Sequence, residues 1–308
     1  MVKLSVVIPT YNRGGKILTT LKSLANQTFQ DFEVVVINDG STDNTKEVLD
    51  AIDTSSYPYK ITMQHQENMG RAGSRNSGFN RVASELIVSV DDDMRLDPYC
   101  IEAHYLHHQQ HPGTILVGVQ QEDPKLARNE IQKFIAHQRV GWLKDLERTE
   151  NPMRPDQIYI TAANFSISKA TFNKIGGFDP RLKAVVDYDL AMRASEMGIP
   201  IFYSKNAIGW HEDFVTCRSY INRKRQGVAN GKKLKELKPD LVGKYHRYKE
   251  FELSAKQKLK YQFFANSFFV WTIDKANVYK YILPKKVRYA LYGTVVMALG
   301  KYFPHKKF

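Results

Sequence analysis

Short apolar runs alternate with helix-period patterns through the first hundred residues, and this rhythm restricts the possible folds more than any other feature. Runs at residues 4–8, 33–37, 61–65 and 86–90 are followed in turn by helical patterns at 17–24, 45–52, 72–82 and 98–108. Such alternation builds βαβ units and a mostly parallel sheet. The runs VVI and VVVI are apolar at every position, which suits strands covered on both faces. In these sheets ligands bind beyond the carboxyl ends of the strands. That is where polar residues gather: Thr10-Tyr11-Asn12, Asn38-Asp39-Gly40-Ser41, Glu67-Asn68-Met69-Gly70-Arg71 and Asp91-Asp92-Asp93 each follow a run. Four polar clusters at consecutive strand ends converge on one cleft. Thr42 or Asp43 also caps the next helix, so part of this material has a structural job.

Beyond residue 120 the pattern is less regular. It predicts a helix over 127–146, a turn-rich piece through Pro152 and Pro155, a strand over 158–167, a turn at Gly176-Gly177-Phe178-Asp179-Pro180 and a helix over 187–197 ended by Gly198. Charge then divides the chain. Residues 1–217 hold 23 Lys+Arg against 27 Asp+Glu, whereas 218–308 hold 22 against 5, so the whole net charge of +13 comes from the tail. Residues 244–308 also carry 16 of the 36 aromatics, which solvated basic tails do not. With 308 residues, 43% of them hydrophobic, the chain can build a sizeable core, and disordered and fibrous classes are excluded. Cys100 and Cys217 form no CxxC pair, which argues against a disulfide framework or thiolate zinc site and for a reducing compartment. The first nine residues lack an export cleavage pattern and read as a buried strand. The longest apolar stretches, 261–273 and 289–300, are too short to span a bilayer.

The sharpest chemical feature is Asp91-Asp92-Asp93. Three successive carboxylates repel one another at the end of a buried strand, so a cation must offset them. A hard divalent ion does this with one or two carboxylates and completes its shell with water and substrate phosphates. The alternative is an acidic turn favoured by the following helix dipole.

The segments LSVVIPTYN (4–12), VVVINDGSTD (34–43), NMGRAGSRNSG (68–78), VDDD (90–93), GGFD (176–179) and DYDLAMR (187–193), in this order, resemble the family 2 glycosyltransferases of GT-A fold. The resemblance implies a Rossmann-like, mostly parallel α/β domain over 1–213, with a nucleotide-binding half (1–120) and an acceptor half (121–213). A basic, aromatic-rich helical region (214–308) would follow. It implies an inverting, metal-dependent transferase that uses a nucleoside diphosphate sugar.

The resemblance also distributes roles. Asp39 would accept the imide N–H of uracil or thymine, which cytosine lacks. Thr10 and Tyr11 would flank base and ribose, and Arg71, Arg75 and Asp92 would contact nucleotide or donor sugar. Asp91 and Asp93 take the DxD positions that hold Mn2+ or Mg2+, with His211 as a further ligand. Asp187 inherits the general-base position, although Val186 replaces the glutamate usual there. Asn164, Asp189 and Arg223 are candidate acceptor or diphosphate contacts; Asp189 is equally suited to pairing with Arg193.

The expected partners are the sugar nucleotide, a glycan or lipid-linked acceptor and an anionic membrane surface, not nucleic acid. The location implied is cytoplasmic, on the inner face of the plasma membrane. Packing of the tail on the catalytic domain, or on a second subunit in a homo-oligomer, is the alternative. A GT-A-like nucleotidyltransferase is the nearest rival activity, but it needs a glycine-rich phosphate loop, for which Arg13-Gly14-Gly15 is a poor match. A nonenzymatic binding module is the rival from another class: aromatics clustered with Val, Ile and Leu fit lipid better than nucleic acid.

Overall fold

The computed structural model describes residues 2–245 and 252–308; residues 246–251 of the tail lie outside it. The chain forms two compact units, one from Met1–Gln121 with Leu143–Glu212, the other from Glu122–Trp142 with Asp213–Phe308. This differs from a division at residue 213: the segment 122–142 groups with the tail.

The first unit is built on β1 (Leu4–Thr10), α1 (Gly14–Ala25), β2 (Phe32–Asp39), α2 (Thr45–Asp50), β3 (Lys60–Gln66), α3 (Gly70–Arg81) and β4 (Leu86–Val90). It continues through β5 (Met94–Leu96), α4 (Cys100–Gln110) and β6 (Ile115–Gln121). Helix α5 (Glu130–Leu146) precedes β7 (Asn164–Ser168), α6 (Lys169–Ile175), α7 (Val186–Glu196) and β8 (Ile201–His211). The eight strands form one sheet in the order β3-β2-β1-β4-β7-β6-β8-β5. Strands β3, β2, β1 and β4 are parallel, β7 runs against both its neighbours, and β5 runs against β8.

The apolar runs of β1, β2 and β4 are buried on both faces, while the edge strand β3 is only partly buried. Val6, Ile8, Val34 and Val36 share a core with Ile17, Leu21 and Leu24 of α1 and with Cys100 and Ile101 of α4. On the other face α3 lies so close that a Cβ on Gly78 would stand 2.4 Å from Val7 Cγ1, so glycine is the residue that permits this contact. Beside it Phe79, Phe165, Phe172 and Phe178 form one aromatic cluster.

The expected strand over 158–167 is confined to Asn164–Ser168. Residues 158–163 are irregular because the cross-links there come largely from side chains: Thr161 Oγ1 donates to Gln120 Oε1 (2.9 Å) and Ser89 Oγ to the Ala162 carbonyl (2.7 Å). Strands β5, β6 and β8 and helix α6 were not among the expected elements.

In the second unit α5 meets α8 (Cys217–Leu237), α9 (Pro239–Lys244), α10 (Ala255–Phe264), α11 (Ser267–Trp271), α12 (Tyr279–Ile282) and α13 (Lys285–Met297). Ile131, Phe134 and Ile135 of α5 pack with Ile221, Ile273, Tyr289, Tyr292, Val295 and Leu299. Part of the tail's aromatic content is therefore the core of this unit, and that packing draws 122–142 into it.

Candidate active site

The order β3-β2-β1-β4 creates a switch point between β1 and β4, since the chain leaves these neighbouring strands toward opposite sides. Two residues just past that point are joined: Thr10 Oγ1 donates to Asp92 Oδ2 at 2.6 Å. Arg13, at the start of α1, pairs with Asp92 Oδ1 at 3.3 Å and with Asp93 Oδ2. From the far strand, β8 ends at His211, whose Nε2 lies 3.3 Å from Asp93 Oδ2. The pairing of β5 with β8, opposing Met94 to His211, sets this approach, and the Glu212 N–H seals it on the Asp93 carbonyl at 2.8 Å. Asp91 turns elsewhere and pairs with the buried Arg75.

The three carboxylates thus have three different surroundings. Asp92 is buried, and burial together with the neighbouring Asp93 charge pushes its pKa up to about 7 against the pull of Arg13 and Thr10. Burial acts the same way on Asp93, but His211 and Arg13 outweigh it and hold that carboxyl below the usual range. Asp93 Oδ1 is buried and accepts no hydrogen bond among the described residues. A buried anionic oxygen without a donor suits a cation. Among the described residues no three His, Cys, Asp or Glu side chains form a ready-made cage.

Beside this cluster, Asp39 Oδ1 accepts the N–H of Met69 (2.9 Å) and Gln66 Nε2 (2.8 Å), while its carbonyl accepts Asn68 Nδ2 (2.9 Å). The second carboxylate oxygen takes no hydrogen bond among the described residues. Gly40 needs its left-handed backbone (φ 70°), and a Cβ there would strike Asn68 N. Asn12, also left-handed (φ 56°), latches the first two loops by accepting the Thr42 N–H at 2.7 Å. Tyr11 and Arg71 are exposed, and Arg75 reaches back to the Arg71 carbonyl (3.1 Å).

Asp187 is half-buried in the first turn of α7 and accepts the Tyr188 N–H at 2.9 Å. The helix is entered through Val185 with φ 60°, an unusual conformation for a β-branched residue. Asp189 is fully buried. Its Oδ2 accepts two bonds from Arg193 (2.7 and 2.9 Å), and Arg193 donates onward to the carbonyls of Ile175 (2.6 Å) and Gly177 (2.7 Å). The GGFD and DYDLAMR segments are therefore one clamp, and Asp189 is closed to an acceptor.

Asn164 is likewise corrected. It is fully buried, donating to the carbonyls of Val119 (2.8 Å) and Ala207 (2.9 Å) and bonding His104 Nε2 (2.9 Å), so its amide is enclosed and ties strands together. Arg223 lies in the second unit, where Asp213 holds it. The residue that sequence reasoning missed is Arg13. Its signal was the cation that three consecutive aspartates require, which lay unrecognised in the Thr10–Gly15 turn.

The model of the family described as glycosyl transferase family 2 matches residues 5–176. Over 234 residues, 67% of this chain and 54% of the relative, the sequence is 30% identical to validoxylamine A glucosyltransferase of Streptomyces hygroscopicus subsp. jinggangensis. The match to the same enzyme of subsp. limoneus covers 51% of that protein, so the chain spans about half the length of these curated relatives. In structure it is similar to the mannosyltransferase PcManGT from Pyrobaculum calidifontis in complex with GDP-Man and Mn2+, with TM-score 0.65, 16% identity and coverage of 99% of this chain and 88% of that one. S. aureus TarS 1-349 in complex with UDP matches with TM-score 0.56, 18% identity and coverage of 99% and 93%. At such identities the likeness concerns the fold, which is GT-A. The matched model covers more than half of the chain and holds the strand ends that carry Thr10, Asp39 and Asp91–Asp93, and the chain belongs to glycosyl transferase family 2.

Proposed function

We propose that the chain moves a sugar from a nucleoside diphosphate donor, UDP-linked, to a hydroxyl of a glycan or lipid-linked acceptor, with inversion at the anomeric carbon. The observation that carries this reading is the meeting of Thr10, Arg13, Asp92, Asp93 and His211 around one oxygen-rich point beyond β1, β4 and β8. GDP-Man with Mn2+ in PcManGT and UDP in TarS support a sugar nucleotide as donor.

Asp39 keeps one carboxylate oxygen for the imide N–H of uracil, with Thr10, Tyr11 and Arg71 beside base and ribose. Arg75, with Asp91, and Arg13 present guanidinium groups to the diphosphate, and Asp92 orients the donor sugar. Asp93 and His211 are the residues that would hold Mn2+ or Mg2+, whereas Asp91, expected as a further ligand, is held by Arg75. Such an ion supplies positive charge where the leaving diphosphate becomes more negative. Asp187 takes the proton of the acceptor hydroxyl as its oxygen bonds to the anomeric carbon, and the bond to the diphosphate breaks with its electron pair leaving on the nucleotide. Asp189 and Arg193 keep the turn beneath α7 in place.

A nucleotidyltransferase is disfavoured because Gly14 and Gly15 lie inside α1, where a Cβ on Gly14 would meet Thr45 Cα at 2.9 Å. Gly14 serves the packing of α1 against the start of α2, while a Cβ on Gly15 would meet nothing within 4 Å. The second unit, whose described helices are none of them long and apolar enough to cross a membrane, would rest peripherally on the anionic inner face of the plasma membrane.

Thermal stabilisation across a panel of nucleotides, with and without Mn2+, tests the reading because a ligand of the folded state raises stability by mass action. UDP and UDP-sugars should stabilise most, and only with the metal. Equal stabilisation in chelator overturns the metal sites, and CDP acting as strongly as UDP overturns the role of Asp39.

A further inference from the structure

While Tyr289 and Tyr292 are buried in the second unit, another set of large apolar side chains stands outside it. Leu259 (71% exposed) and Phe263 (65%) are four residues apart on α10, and Phe268 (61%) and Trp271 (57%) are three apart on α11, so each pair shares a helix side. The pairs are joined through half-buried rings. Phe269 lies 5.6 Å from both Phe263 and Phe268, and Phe264 lies 5.1 Å from Phe263. The corner between the helices is fixed, since Asn266 accepts the Phe268 N–H (3.0 Å) and donates to the Phe263 carbonyl (2.8 Å). A continuous, ordered apolar surface of this kind marks an interaction site.

Charge identifies the partner. Lys256, Lys258 and Lys260 are exposed on α10, and residues 253–273 contain no Asp or Glu. Asp274 is the one acid between 253 and 308, against eleven Lys and Arg, and its oxygens are taken by the N–H groups of Cys217 (2.6 Å) and Arg218 (3.1 Å) at the start of α8. A second copy docking face to face would set these lysines against one another. An anionic surface accepts both the lysines and the aromatics, and a ten-residue helix, about 15 Å long, lies in the headgroup region rather than across it.

We propose that the face formed by Leu259, Phe263, Phe268 and Trp271 inserts shallowly into an anionic lipid bilayer, with the lysines of α10 on headgroup phosphates. The proposal rests on the reading of the second unit as membrane-bound and narrows it to one surface. The test uses the full chain with phosphatidylcholine vesicles, with and without phosphatidylglycerol, read by sedimentation and by quenching of tryptophan fluorescence with brominated lipid. Sedimentation should require phosphatidylglycerol and weaken with salt. The variant Phe263→Ser/Phe268→Ser/Trp271→Ser should partition at least about tenfold less, with unchanged melting temperature and unchanged stabilisation by UDP. Quenching should vanish in Trp271→Phe, leaving Trp142 and Trp210 unaffected. If the wild type sediments but the triple variant sediments equally, or quenching survives Trp271→Phe, this face is wrong while membrane residence stands. If the wild type ignores the vesicles, both fall. A wild-type dimer that the triple variant abolishes, without vesicle binding, makes the occupant a second copy and overturns the proposal. Should the triple variant not fold, quenching in the wild type and in Trp271→Phe decides.

Discussion

Asp91-Asp92-Asp93 and Asp187-Tyr188-Asp189 both place carboxylates at the start of a turn, and the fold compensates them differently. Asp189 is fully buried yet fully paired, its oxygen held twice by Arg193. Asp93 is nearly as buried, but one oxygen has no donor and the other shares Arg13 with Asp92. A carboxylate whose surroundings cancel its charge holds the fold together. One left partly uncancelled has an opening for a ligand, and Asp187, half-buried and bonded among the described residues through one oxygen to the next N–H, belongs with the second kind.

The largest effect that this contrast predicts is on stability. Asp189→Ala leaves Arg193 without its partner in the interior and should cost about 3–5 kcal/mol, the range for breaking a buried pair. Denaturant titration that finds less than about 1 kcal/mol breaks the contrast. Asp187→Asn should do the reverse, keeping the fold and donor binding but slowing turnover by about 100-fold or more. Wild-type turnover in that variant removes Asp187 as the base. Arg13→Gln sharpens the comparison, because it leaves Asp92 and Asp93 with less compensation. The metal-free protein should lose about 2 kcal/mol, and Mn2+ alone should restore more of it than in wild type. Equal losses with and without the metal would make Arg13 structural.

The smallest effect concerns buried groups that carry no charge. His104 and His108 share Ser166 Oγ at 2.7 and 2.9 Å. Burial, opposed in His104 by Asn164 and reinforced in His108 by neighbouring histidines, lowers their pKa to about 4 and about 3. With folded values below the unfolded one, the unfolded chain binds more protons, so stability present above about pH 6.5 is lost as pH falls toward 4. Each histidine should cost about 1 kcal/mol at pH 5.5 relative to pH 7.5. Melting curves flat across that window would contradict their burial as neutral rings.

Legibility followed the physics of each segment. Strands β1, β2 and β4 were readable because burial on both faces leaves short apolar runs, and the expected 86–90 is the observed β4, whereas β3 (KITMQHQ) is a partly exposed edge strand that only the alternation with helices marked. Strand β8 was harder, since Ser204, Lys205 and Asn206 interrupt it, and β5 has only three residues. The candidate site residues Thr10, Asp39, Asp92 and Asp93 were legible as polar side chains at the ends of apolar strands. Asn164 was misread for the same reason: it begins β7, but α4, β6 and β8 close around it. The tail's composition announced basic and aromatic content, yet not which rings build a core and which face outward.

The sequence by itself determined the βαβ rhythm, the strand ends where polar residues collect, the family motifs and the basic, aromatic tail, because each is written in local periodicity, spacing or composition. Only the tertiary structure decided how charge is shared. Arg13 reaches residues 79 and 80 positions away in the chain, Arg75 takes Asp91, and His211 arrives at Asp93 from the last strand. The same holds for Asp189, closed off by its arginine clamp, and for Phe263 against Tyr292, one ring exposed and one buried. Compensation and burial depend on neighbours brought together by the whole fold, and no local pattern specifies them.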